Sequence, residues 1–70
     1  MMPLTLAKEG AANSVKKIGG KPEIRRFLET LGFVAGADVT VVSQMSGNVI
    51  VHIKDSRVAI SREMASKILV

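Results

Sequence analysis

Between Asp38 and Ile60 the chain carries three runs dense in β-branched residues: Asp38 to Ser43, Asn48 to Lys54 and Arg57 to Ile60. Only Ser46-Gly47-Asn48 and Asp55-Ser56, small polar residues of the kind hairpin turns use, mark the breaks between them. Three strands joined so tightly form an antiparallel meander, and the rest of the chain must pack around it. The alternation in the second run puts Val49, Val51 and Ile53 on one face, and Ile50, His52 and Lys54 on the other.

The N-terminal part must pack around that sheet. Pro3 to Ala7 alternates Leu4 and Leu6 and is expected to be a first strand, with Lys8 to Asn13 as a polar loop. Ser14 to Ile18 resumes as a second strand, but Val15 and Ile18 do not fit period two, so a bulge is expected close to Lys16 and Lys17. Gly19-Gly20-Lys21-Pro22 then breaks the strand and starts a helix, with Pro22 at its first position and Glu23 beside its positive end. Ile24, Phe27, Leu28 and Leu31 fall at i, i+3, i+4 and i+7 and make one apolar stripe, with Arg25, Arg26 and Glu29 facing away. Gly32 stands where a helix C-terminal cap belongs, so the helix covers about residues 22–31. After the meander, Ser61 caps a last short helix that turns Met64, Ala65 and Ile68 inward. The expected fold is mainly β: a small five-stranded barrel, whose closure removes exposed strand edges, with one inserted helix and a short C-terminal helix. No repeat or linker divides residues 1–70, which are expected to form a single domain.

Seventy residues bury only about 60% of their unfolded surface, so the core is thin and there is no room for a deep cleft. With no cysteine, neither disulfides nor a Cys-based zinc site can hold the chain, and apolar packing must suffice. The only aromatic residues are Phe27 and Phe33, both expected inward. No apolar run approaches the roughly 18 residues of a membrane span and the start lacks a basic, then apolar leader, so a cytosolic location is expected.

The residue types that carry catalysis do not converge in the sequence. Gly20-Lys21 suggests a phosphate loop, but Pro22 stands where Ser or Thr must ligate magnesium, and Val15 stands where the first glycine belongs. His52 is the sole histidine and lies on the outward strand face, so no triad assembles around it. Glu9, Glu23, Glu29, Asp38, Asp55 and Glu63 are scattered, with no pair at i, i+3 or i+4, which gives no pattern for a metal or paired-carboxylate site. Neither enzyme activity nor a bound cofactor is expected.

What does cluster is positive charge. The net charge is +4, and Lys16, Lys17, Lys21, Arg25 and Arg26 crowd residues 16–26, interrupted only by Glu23. Such a face suits an anionic partner. Nucleic acid is disfavoured, because single-strand binders stack bases on exposed aromatics and duplex readers need a base-reading helix. An acidic cytosolic domain or the anionic inner leaflet needs neither.

Leu31-Gly32-Phe33, then Gly36, then Val39-Thr40-Val41 resembles the most recognisable stretch of the ferrous iron transport protein A (FeoA) family. Arg25-Arg26-Phe27-Leu28, Ala65 to Val70, Pro3 to Leu6 and Ile18-Gly19-Gly20 extend the similarity over essentially the whole chain. The resemblance implies an SH3-like barrel, shared with the C-terminal domain of iron-dependent repressors. It implies a partner, FeoB, the inner-membrane ferrous iron transporter with a cytosolic GTP-binding domain, and so a place at the cytoplasmic face of the membrane. Gln44 to Asn48 is a departure, since many relatives have a longer, proline-containing loop there. Peptide binding of the eukaryotic SH3 type is not expected without Trp or Tyr.

The reading is a non-enzymatic accessory protein of ferrous iron uptake that binds FeoB, with Lys16, Lys17, Arg25, Arg26, Gln44, Met45 and Asn48 as candidate contacts. The alternatives are an SH3-like module acting on a metal-dependent transcriptional regulator, and a small basic RNA-binding barrel.

Overall fold

A computed structural model describes residues 1–70. A turn of 3-10 helix at Leu4–Leu6 leads into β1 (Ala12–Ser14), β2 (Lys17–Ile18), α1 (Pro22–Thr30), β3 (Asp38–Met45), β4 (Asn48–Ile53), β5 (Ser56–Ser61), α2 (Arg62–Ala65) and β6 (Ile68–Leu69). The mainly β class, the inserted helix and the antiparallel β3-β4-β5 meander are as the sequence predicts. The strands are hydrogen-bonded as two sheets, β1-β3-β4-β5 and β2-β6, rather than as one continuous ring. There are six strands rather than five.

The expected first strand is not one. The Leu6 N–H donates to the Pro3 carbonyl and the Ala7 N–H to that of Leu4, each at 3.0 Å, so the segment satisfies its backbone locally as 3-10 turn. Three residues per turn send Leu4 and Leu6 in different directions: Leu4 is buried, while Leu6 is 69% exposed. The strand that flanks the start is instead β6, read from sequence as part of the last helix. Pro3 bridges Leu69, and Met2 and Val70 exchange both backbone hydrogen bonds, at 2.9 and 2.8 Å.

The expected second strand splits at Val15. β1 starts within the predicted polar loop and pairs with β3, whereas β2 pairs with β6. The irregularity predicted at Lys16 and Lys17 is present. Lys17 is the register partner of Leu69, yet the Lys16 N–H also donates to the Leu69 carbonyl, at 2.7 Å, so two residues oppose one as in a β-bulge. A second irregularity, between Val41 and Ser43 of β3, has no sequence signal that marks it.

α1 has Lys21 as N-cap, Pro22 in its first turn and Glu23 beside the N-terminus. Beyond Thr30 the Gly32 N–H donates to the Glu29 carbonyl, and the Phe33 N–H to that of Leu28, both at 3.0 Å. This is a Schellman ending. It requires a left-handed residue, met by Gly32 at φ +107°, and it brings Phe33 over Leu28, both fully buried. Within the apolar stripe only Leu28 is fully buried and Ile24 and Leu31 are half-buried, while Phe27 is 47% exposed. The expectation that both phenylalanines point inward is thus corrected for Phe27. Phe27 and Leu28 lie on opposite flanks of the stripe, about 100° apart on a helical wheel, and the helix turns the Leu28 flank to the core, which leaves Phe27 at the solvent edge.

Leu28 and Phe33 join Val39, Val41, Val49, Val51, Ile53, Ile60 and Ile68 in one buried cluster with no buried polar side chain. The β4-β5 turn falls one residue earlier than expected, on Lys54 and Asp55, whose φ of 48° and 62° match the tight two-residue turn that fits strand twist. The Ser61 side chain accepts from the Met64 N–H at 3.1 Å, as predicted for the cap of α2. Replacing Ser61 with Ala is expected to cost about 1 kcal/mol. Thermal melting should register this as a fall of about 4–8 °C; an unchanged midpoint would mean that the cap contributes nothing.

Candidate basic groove

The four cations singled out in the sequence come together. Lys16, Lys17, Arg25 and Arg26 line one surface concavity of about 490 Å³ between β2 and α1. On an ideal strand, successive side chains point to opposite faces, and one of the two lysines would turn away. The bulge at Leu69 changes that local geometry, and both lysines reach the same groove. The facing wall is the polar row of α1: Pro22, Arg25, Arg26 and Glu29 at i, i+3, i+4 and i+7. All four cations are solvent-exposed, so their attraction for an anion is screened by salt.

The groove is not purely polar. Ile18, Phe33, Val34 and Ala35 complete its lining, with Phe33 fully buried and Val34 39% exposed. These apolar residues were missed as site residues, although the Schellman turn that delivers Phe33, Val34 and Ala35 was readable from Gly32. Lys21, in the same basic run, is the N-cap of α1 and does not line the concavity.

The other candidates lie elsewhere. Met45 and Asn48 face each other across the β3-β4 turn, and Met45 is 64% exposed. Gln44 is a tether, its Nε2 donating to the Thr5 carbonyl at 3.0 Å and holding the 3-10 turn to the end of β3. None of the three lines the basic groove. His52 is exposed as expected, opposite Thr40 and Arg57. It lines a separate concavity of about 410 Å³ together with Asp38 and Asp55. No group of three or more His, Cys, Asp or Glu side chains is placed to hold a metal ion, and no helix is long and apolar enough to cross a membrane.

A protein of Methanocaldococcus jannaschii named "Putative Fe(2+) transport protein A" is 39% identical over 70 residues, which are 100% of this chain and 85% of that protein. The crystal structure of Stenotrophomonas maltophilia FeoA complexed with zinc, described as a prokaryotic SH3 domain protein, aligns over 99% of this chain and 88% of its own at a TM-score of 0.84 and 23% identity. A manganese-dependent transcriptional repressor aligns over 94% of this chain but 38% of its own, at a TM-score of 0.85 and 20% identity. At such identities the two structures establish a shared SH3-like fold and nothing about activity. The FeoA domain family matches residues 2–70. With a family match over nearly every residue and a 39% identical relative that aligns with all of this chain and 85% of its own length, the chain belongs to the FeoA family.

Proposed function

We propose that this chain is a non-enzymatic accessory protein of ferrous iron uptake that docks on the cytosolic side of a FeoB-type transporter, through the groove between β2 and α1. The observation that carries the docking site is the convergence of Lys16, Lys17, Arg25 and Arg26 on one concave face from two separate elements. Family membership supports the iron-transport context. The exposed Met45 and Asn48 at the β3-β4 hairpin offer a second contact.

The test is binding to reconstituted FeoB, and separately to its isolated GTP-binding domain, at low and at physiological salt. Reversing Lys16, Lys17, Arg25 and Arg26 to Glu should weaken binding about tenfold or more, by exchanging rim attraction for repulsion. Wild-type binding should also fall as salt rises. Binding indifferent to the reversals would move the interface to the hairpin, and no binding to either target would remove FeoB as the partner.

A further inference from the structure

The chemistry of the groove specifies more than a negative partner. Its cations come from two separate elements, Lys16 and Lys17 at β2 and Arg25 and Arg26 on α1, and its accessible large apolar surface comes from Ile18 and Val34. We infer that the groove takes an extended acidic peptide segment, with carboxylates reaching both walls and a small apolar side chain against Ile18 and Val34. The inference rests on the docking reading above and names the chemistry of the docked segment.

An extended chain sends successive side chains to opposite sides, which suits a groove with cations on two separate elements. The cavity, about 490 Å³, falls within the range of sites that hold small ligands, room for a few side chains rather than a folded domain. Competing anions fit less well. Stacking of unpaired bases requires an aromatic face, and Phe33 has no exposed surface to offer. Phe27 is exposed but does not line the groove. A lipid surface would meet several projecting apolar side chains, whereas here Phe33 is fully covered, Ile18 is half-buried, and Val34, 39% exposed, is the one large apolar side chain of the lining that stands out. Glu29, on the same helical row as the two arginines, opposes any uniformly anionic surface. A peptide accommodates it by placing a neutral or basic residue there, which also fixes its register.

The probe is a short fluorescein-labelled peptide repeating Glu-Glu-Leu-Gly, whose adjacent glutamates point to opposite sides of an extended chain, with its Gln-for-Glu counterpart, vesicles of phosphatidylcholine with about one-third phosphatidylglycerol, and an oligouridylate. Anisotropy on the full chain should show saturable binding of the acidic peptide, about tenfold tighter than its Gln counterpart and weaker at higher salt. Amide shifts in a nitrogen-correlated NMR spectrum should concentrate on residues 16–18, 22–29 and 33–35. Lys16→Glu with Lys17→Glu, and Arg25→Glu with Arg26→Glu, should each lower affinity about tenfold. Phe27→Ala should leave it unchanged, and matching circular dichroism spectra would certify that the variants are folded.

Preference for vesicles or oligouridylate, or peptide binding that ignores both reversals, would overturn the inference. Peptide failure alongside charge-sensitive FeoB binding would overturn it while leaving the docking reading intact. Groove-mapped peptide binding without FeoB binding would do the reverse.

Discussion

Phe33→Ala should unfold most of the population under conditions where Phe27→Ala leaves the chain native. Both substitutions delete the same ring, yet Phe33 is fully buried and Phe27 is 47% exposed. Emptying a buried phenylalanine site costs about 3–5 kcal/mol. A chain of this length has a total stability of about 4–10 kcal/mol. Phe33 also sits one residue past Gly32 in the Schellman ending, so its loss removes the apolar contact with Leu28 that locks the end of α1. Urea titration followed by circular dichroism should show a much lower midpoint for Phe33→Ala, with Phe33→Leu, which leaves a smaller cavity, costing less than Phe33→Ala, and Phe27→Ala about 0.5 kcal/mol or less. Equal losses at the two phenylalanines would contradict the burial assigned to α1.

The second large effect concerns the last three residues. Deleting residues 68–70 is expected to abolish the cooperative transition altogether. β6 is the sole partner of β2, and Ile68 is fully buried in the core. Truncating a buried Ile costs about 2–5 kcal/mol. The deletion also strips acceptors from the Lys16 and Met2 N–H groups, at about 1 kcal/mol for each hydrogen bond lost. Together these approach the whole stability of a domain this small. A chain shortened to residue 67 that still melted in one sharp transition would show that β2 and the bulge hold without β6. The substitution Leu69→Lys, at a half-buried position, keeps the backbone pairing and should be tolerated far better than the deletion.

These contrasts show which parts of the structure the amino-acid pattern discloses. The meander was legible because Val49, Val51 and Ile53 alternate strictly, and period two admits one register against a core. α1 was legible from Pro22 at one end and Gly32 at the other, each with a local conformational reason to be there. Leu4 and Leu6 misled because alternation over so few residues is also compatible with a 3-10 turn, and long-range pairing decides between them. The strand at Ile68–Leu69 was hidden for the same reason, since its identity depends on partners some fifty residues away in sequence. Phe27 was misplaced because a wheel groups Phe27 and Leu28 at the two edges of one stripe without showing which edge meets the core, and packing chose Leu28. The cations of the groove were legible as a charge cluster. Their concave arrangement was not, because it depends on a bulge whose partner, Leu69, lies at the far end of the chain.

The reciprocal pairing of Met2 with Val70 makes the two ends of residues 1–70 neighbours in space. A fold whose ends meet can be spliced as a unit into a surface loop of a host protein, entering and leaving at nearly one point, without stretching either partner. It also tolerates rewiring. Joining the ends through a short flexible linker and opening the chain at the exposed Ser46-Gly47 turn would preserve the β2-β6 pairing and the core, while exchanging the β3-β4 hairpin for two free ends. In such a permuted protein the groove between β2 and α1 keeps every wall, whereas the hairpin contact is cut, so the two candidate docking surfaces become physically separable within one sequence composition.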